Sequence, residues 1–221
     1  MQGWQEVSIS HSSNLVAIAS QAVIACLAKL GAIAFCSSTM SPTSQLYFIA
    51  LLPPEPLQAE ATAFKEHFAA HYDSRAALKS PPHITLQPPF QWPADQAPTL
   101  ETTLQDFAAQ QAPLEIQLSG FGAFPPRVIY LHVHRSEPLL ALQRSLRSHL
   151  ETTLAIADPS TRPFAPHLTL AYKDLRPDQF QAAWPQFRDR PFNHQFTAQH
   201  LTLLLHRDRR WHPVRTFSLR P

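Results

Sequence analysis

Pro81-Pro82-His83-Ile84-Thr85-Leu86 and Ala165-Pro166-His167-Leu168-Thr169-Leu170 are two copies of one pattern, one in each half of the chain. In an extended strand, residues two apart share a face and lie about 6.6 Å apart, at roughly 3.3 Å per residue. Each copy therefore mounts an imidazole and a hydroxyl on one face, His83 with Thr85 and His167 with Thr169. Ile84, Leu86, Leu168 and Leu170 turn to the opposite, apolar face. A single His-x-Thr strand is commonplace and reads as an ordinary surface strand. Repetition of the preceding proline, the His-x-Thr and the flanking apolar residues sets these two apart.

Two such strands meeting at a cleft would supply one neutral imidazole as general base, one imidazolium as general acid and two hydroxyl donors for phosphate oxygens. Histidine is the side chain whose ordinary pKa, about 6.5, allows both forms near neutral pH. The pattern thus points to phosphodiester chemistry that needs no metal, with His83 and His167 as the proton carriers and Thr85 and Thr169 as the phosphate donors.

The chain resembles the 2H phosphoesterase superfamily, which is named for two such motifs, and within it the 2′-5′ RNA ligase and RNA 2′,3′-cyclic phosphodiesterase branch. The resemblance extends to "LYFIALLPP" from Leu46, to "GFGAFPPRVIYLHV" from Gly120 and to the closing "RTFSL" from Arg215. It implies an α+β domain, bilobal and internally duplicated. Two antiparallel sheets face each other across a central groove, with helices on the outer faces. It also implies the roles: His83 donates a proton to the 2′ leaving group, and His167 activates water. By microscopic reversibility the same groove could join a 2′,3′-cyclic end to a 5′-hydroxyl. The implied ligand is RNA or a nucleotide with a cyclic phosphate. Rival readings are a phosphodiesterase for a small cyclic nucleotide of the ADP-ribose type, a non-catalytic RNA-binding module of the same fold, and a His-rich metal protein. After the second motif, Ala171, Tyr172 and Lys173 stand where many cyclic phosphodiesterase relatives carry an arginine, which bears on the substrate.

Composition agrees with one domain from about residue 41 to 221. The chain has 221 residues, 44% of them hydrophobic, enough for one core. With 18 basic against 16 acidic residues the net charge is only +2, too small to hold nucleic acid by bulk charge, so any nucleotide contact must be local. Pro is abundant at 22 and clusters at element ends. Both cysteines, Cys26 and Cys36, precede the domain, so it has no disulfide framework and suits a reducing, cytoplasmic setting. No cofactor and no stable protein partner is implied, and a monomer is expected.

The run from Leu15 to Cys36 is apolar apart from Ser20, Gln21 and Lys29. A central lysine costs about 2.5–3.5 kcal/mol of membrane insertion energy, and no basic flank precedes the run. Residues 1–40 are therefore read as an apolar extension outside the domain, first as an over-extended start with translation from Met40, second as an interfacial or buried helix, and third as a membrane anchor.

Hydrophobic spacing predicts a strand over 46–52 and a helix over 55–72 with Leu57, Ala61, Phe64 and Phe68 on its inner face. The first motif strand follows at 83–87. A second helix carries Leu100, Leu104 and Phe107, and strands cover 114–118 and 128–134. A third helix, capped by Ser136, carries Leu139, Leu142, Leu146 and Leu150. The second motif strand at 166–172, a helix over 177–187 and two strands near 195–205 and 211–219 complete the chain.

Other residues have two readings each. In "VIYLHVH", Tyr130, His132 and His134 share a face that either lines the cleft, where Tyr130 or His132 could stack on a base, or meets solvent. His132 and His134 lack a carboxylate or cysteine partner nearby, so no metal site is expected. Arg127, in the family's Pro-Arg-Val segment, either forks onto a phosphate or points to solvent. Lys79 and Arg162 precede the two motifs and either guide an anion into the groove or are ordinary loop cations. The basic stretch from His206 to His212 reads as a hairpin tip that either touches an RNA backbone or is simply solvated.

Overall fold

The structure, a computed structural model, describes residues 43–158, 160 and 162–220. The apolar run, both cysteines and the proposed start at Met40 lie outside the described residues. Twelve regular elements follow in the order β1 (Ser44–Leu51), α1 (Glu55–His71), β2 (Ile84–Pro93), α2 (Ala97–Ala108), β3 (Leu114–Phe124), β4 (Val128–Val133), α3 (Glu137–Leu154), β5 (His167–Ala171), α4 (Pro177–Phe187), β6 (Asn193–Ala198), β7 (His200–Arg207) and β8 (Arg210–Ser218). Short 3₁₀ turns at Ala76–Lys79 and Ala94–Gln96 complete the set.

The fold is α+β. Its strands are antiparallel in the order β6-β3-β4-β5-β2-β1-β7-β8. The two halves β6-β3-β4-β5 and β2-β1-β7-β8 are the two antiparallel sheets implied by the resemblance. The pairing Ile84↔Leu168 between the motif strands joins them into one curled sheet. The duplication is visible in this order, since each half puts its motif strand innermost and its partner, β1 or β4, next to it. The helices cross the seam: α1 packs on β5 and α3 on β2.

Alternation in β1 shows how the layers separate. Tyr47, Ile49 and Leu51 enter the main core with Leu57, Ala61 and Phe68 of α1, while Phe48 and Ala50 join Leu204 in a small cluster on the other face. That second face of the sheet carries the motif histidines. On α1 the expected residues Leu57, Ala61 and Phe68 are buried, and so is Lys65, which the apolar spacing did not single out. Phe64 is only partly buried and meets Phe121 edge-on at 5.2 Å.

Three strands differ from expectation, and one of them is β3, which runs past 118 to Phe124 through a register shift between Leu118 and Phe121. The strand expected near 195–205 is two strands, because consecutive exposed residues Gln199 and His200 break the inward–outward alternation. The chain crosses there from β6, paired with β3, to β7, paired with β1. The first motif strand runs on through Pro88 and Pro89, since a register shift between Tyr47↔Phe90 and Ile49↔Gln87 places both prolines in a bulge where no ladder donor is required.

Candidate active site

Ile84 and Leu168 are direct partners across the antiparallel seam and both are fully buried, so the residues on either side of each face the opposite way. The pairing puts His83 across from Thr169 and Thr85 across from His167. The two histidines are then diagonal neighbours, a relation that spans about 7–8 Å in an antiparallel pair. Phe48, His83, Thr85, Thr169, Tyr172 and Trp211 line one cavity of 180 Å³. Thr85 also lines an adjoining groove of 750 Å³ that contains His167. All four motif residues thus converge at one place.

Both rings are held alike. His83 Nδ1 lies 2.7 Å from the Pro81 carbonyl, and His167 Nδ1 lies 2.7 Å from the Ala165 carbonyl. A carbonyl can only accept, so Nδ1 carries the hydrogen in each ring and Nε2 keeps its lone pair for chemistry. The repeated proline-histidine sequence produces this bond twice with the same geometry. Among the described residues neither threonine hydroxyl makes a side-chain hydrogen bond within the protein.

The electrostatics of the two rings have different causes. Burial draws His83 down to about 4, against the pull of its Pro81 bond, and the charges of Lys65 and His167 push it further in the same direction. His167 is also lowered by burial, and its bond to Ala165 opposes the shift. Aromatic walls cause much of this desolvation. His83 packs on Phe48 at 4.7 Å, and His167 meets Tyr130 at 5.2 Å and Phe124 edge-on at 5.3 Å.

The loops entering the motif strands are pinned. Asp174, just after β5, accepts from Ser74 Oγ at 2.9 Å and from the backbone N–H groups of Arg75 and Ala76 at 2.8 Å. It thereby ties the exit of the second motif to the approach of the first. Lys65 Nζ donates to the Ser80 carbonyl at 3.0 Å. The residues Ala76 to Ser80, which lead into Pro81 and His83, are held between these two anchors.

The sequence-marked residues distribute unevenly. Tyr130 pairs with Thr169, and His132 with His167, so both stand on the site face of β4. Tyr130 touches His167 directly, whereas His132 is exposed with its Nδ1 at 3.3 Å from Ser119 Oγ. His134 lies away from the site, in a cavity between β3 and α3. Arg162 lines the groove beside His167. Lys79 lines a separate small cavity of 270 Å³. Arg127 is exposed in the β3–β4 turn and lines none of these cavities. The expected hairpin tip is the β7–β8 turn, with Asp208 and Arg209 both at positive φ, and it docks by Arg210 Nη1 onto the Leu78 carbonyl at 3.4 Å. Among the described residues no three His, Cys, Asp or Glu side chains gather as a metal site would need.

Several participants were not marked by the sequence. Phe124, 41% exposed, stands beside His167. Arg135, Arg144 and Arg147 join Arg162 around the groove. Arg144 is paired with Glu137 at 2.6 Å, and Arg147 donates to the Asp158 carbonyl at 3.1 Å. The helical spacing of Arg144 and Arg147 beside Gln143 and Leu140 could have signalled that this face of α3 meets a groove.

Gly122 is required by a close approach: a Cβ there would lie 2.5 Å from Tyr130 Cζ and 2.8 Å from its hydroxyl. Gly122→Ala is expected to push the Tyr130 ring off its place beside His167. The cost should be about 1–3 kcal/mol, the scale of overpacking, read as a lower urea midpoint with an unchanged m-value.

A curled antiparallel sheet with one His-x-Thr strand from each half at its seam is the architecture of a 2H phosphoesterase. The chain belongs to the 2′-5′ RNA ligase superfamily, whose sequence model matches residues 53–210. A Bacillus pumilus (strain SAFR-032) protein named "Putative phosphoesterase" is 30% identical over 177 residues, covering 78% of this chain and 96% of the relative. An Oceanobacillus iheyensis protein named "Putative phosphoesterase OB1230" is 31% identical over 178 residues, covering 78% and 97%. Two solved structures share the fold. TT0787 of Thermus thermophilus has a TM-score of 0.60 at 24% identity, covering 80% of this chain and 98% of that one. E. coli LigT complexed with 3′-AMP has a TM-score of 0.55 at 24% identity, covering 81% and 100%. Among the described residues no helix is long and apolar enough to cross a membrane.

Proposed function

We propose that this chain opens 2′,3′-cyclic phosphate ends of RNA by two-histidine acid–base catalysis that uses no metal. His167 takes the proton of the attacking water, His83 gives a proton to the leaving ribose oxygen, and Thr85 and Thr169 donate to the non-bridging oxygens as charge redistributes in the transition state. The observation that carries the reading is that His83, Thr85, His167 and Thr169 share one face of the sheet at the Ile84↔Leu168 seam, with each Nδ1 bonded to a backbone carbonyl. Solved complexes of E. coli LigT with 3′-AMP and ATP support a nucleotide ligand.

An oligonucleotide suits the site better than a small cyclic nucleotide. The groove leaving His167 is large, 750 Å³, and carries four guanidinium groups from Arg135, Arg144, Arg147 and Arg162. Arg144 and Arg147 are paired with Glu137 and Asp158, so Arg135 and Arg162 supply the local positive charge that a net charge of +2 demands. Phe124 and Tyr130 offer a surface on which a terminal base can stack.

The test is a panel of cyclic phosphates assayed with EDTA present. Cyclic-ended oligonucleotides should be opened with higher kcat/KM than a cyclic mononucleotide, and that advantage should shrink as salt is raised. Dependence on added metal, or faster opening of a cyclic mononucleotide, overturns the reading. The pH profile of kcat/KM should be a bell centred between about 4 and 6.5, because burial lowers His83 to about 4 and also lowers His167 from 6.5. A bound phosphate favours both imidazolium forms, so the kcat profile should lie at higher pH than that of kcat/KM.

A further inference from the structure

The cavity of 270 Å³ between α1, the Ala76–Lys79 turn and β8 has no part in the chemistry described so far. Lys65, Lys79, Arg210 and His212 line it, with Thr62 and Ser80 between them. Lys65 is 1% exposed, yet its ammonium makes one hydrogen bond, to the Ser80 carbonyl, out of three it can donate. Among the described residues no carboxylate pairs with Lys65, Lys79 or Arg210. A buried ammonium with most of its donors unused and further cations beside it is a seat lacking its counter-charge.

The position of the cavity indicates what that charge belongs to. Ser80 and Trp211 wall both this cavity and the one holding His83. The arginine groove opens instead from His167 and Thr85. The reacting phosphate therefore has a cationic seat on each side. A strand that ends in a cyclic phosphate has further phosphates in one direction only, and one groove accommodates them. A seat on the other side matches a phosphate carried by a second strand, the one whose 5′-hydroxyl attacks or departs.

We propose that the Lys65 cavity is a second phosphate site, which holds the first phosphate of an incoming or leaving 5′-hydroxyl strand beside the reacting group. In the joining direction the 5′-oxygen bonds to phosphorus as the bond to one ribose oxygen of the cyclic ester breaks. The proton of the 5′-hydroxyl passes to one histidine, and the released ribose oxygen takes a proton from the other. No oxidant or outside energy source is required. The choice of ligand rests on the function proposed above, whereas the existence of an anion seat does not.

Two measurements on the full chain test it. In the first, the Lys65 side-chain amine is followed by NMR with isotope-labelled lysine as inorganic phosphate is added. Its titration, drawn down to about 7 by burial, should move to higher pH, and should do so equally in His167→Ala. A Lys65 signal that does not respond to phosphate overturns the site.

In the second, a cyclic-ended oligonucleotide is offered a 5′-hydroxyl dinucleotide or a 5′-hydroxyl nucleoside as acceptor. The wild type should favour the dinucleotide by about tenfold in kcat/KM, the scale of one charge-assisted contact, and Lys65→Met should lose that preference. A preference that survives in Lys65→Met, no preference at all, or hydrolysis with no joined product overturns the assignment to a second strand. If no cyclic end is opened or joined under any condition, the function proposed above fails, and the phosphate titration still decides the anion seat.

Discussion

Replacing His83 or His167 with alanine is expected to lower turnover of a cyclic-ended oligonucleotide by about 10²–10⁴, the usual loss for a general acid or base. The double replacement should cost far less than the product of the two. Each ring carries one proton of a single coupled transfer, so the second loss removes little that the first has left. The expectation rests on identical mounting, with each Nδ1 committed to the carbonyl two residues earlier and each Nε2 without a protein hydrogen-bond partner among the described residues. Thr85→Val and Thr169→Val keep both proton carriers, so the bell-shaped pH profile should persist while the rate falls by about tenfold. Single-turnover rates of the five variants beside the wild type decide the matter. Near-normal rates in both single histidine variants would remove the mechanism.

The lining of the site follows from one pairing, and that explains what could be read in advance. His-x-Thr alternation is a strand-level signal, and strand alternation survives into the fold because one face must enter the core. The buried Ile84 and Leu168 thereby fix where His83, Thr85, His167 and Thr169 point. The same rule held for Tyr130 and His132. Arg127 sits in the family's motif segment, but its place in an exposed turn is set by the path of the chain between β3 and β4, which no periodicity reports. Phe124 and the α3 arginines reach the site only through the curl of the sheet and the packing of α3 on β2 across the seam. The break between β6 and β7 was legible in principle, since Gln199 and His200 interrupt the alternation, but a run of β-forming residues on either side conceals it.

Lys65 was the hardest to read, because in sequence it is one lysine on an amphipathic helix, where the ordinary place for a lysine is solvent. Its burial has a thermodynamic consequence that can be measured without any substrate. Lys65→Met, which keeps the length and apolar stem and removes the charge, is expected to raise the stability of the free protein at neutral pH. Burial lowers the lysine from 10.5 to about 7, so between those values the unfolded chain holds a proton that the folded chain releases. Stability of the wild type should therefore rise as pH goes from about 7 to 10.5, and the penalty should be at its full size below 7. At about 1.4 kcal/mol per unit, the limit is roughly 4–5 kcal/mol. Leaving the Ser80 carbonyl without its donor returns about 1–3 kcal/mol of that, so a net gain of about 1–3 kcal/mol is expected at pH 7. Urea melts of both proteins across this range should show the gap closing toward pH 10.5, with the wild type the more stable at the top because only it can still pair with Ser80. A variant less stable than the wild type at pH 7, or a gap that does not depend on pH, contradicts the burial of an unpaired ammonium. Inorganic phosphate should narrow the gap at pH 7 by stabilising the wild type alone, since the anion supplies the charge that the folded chain lacks around Lys65.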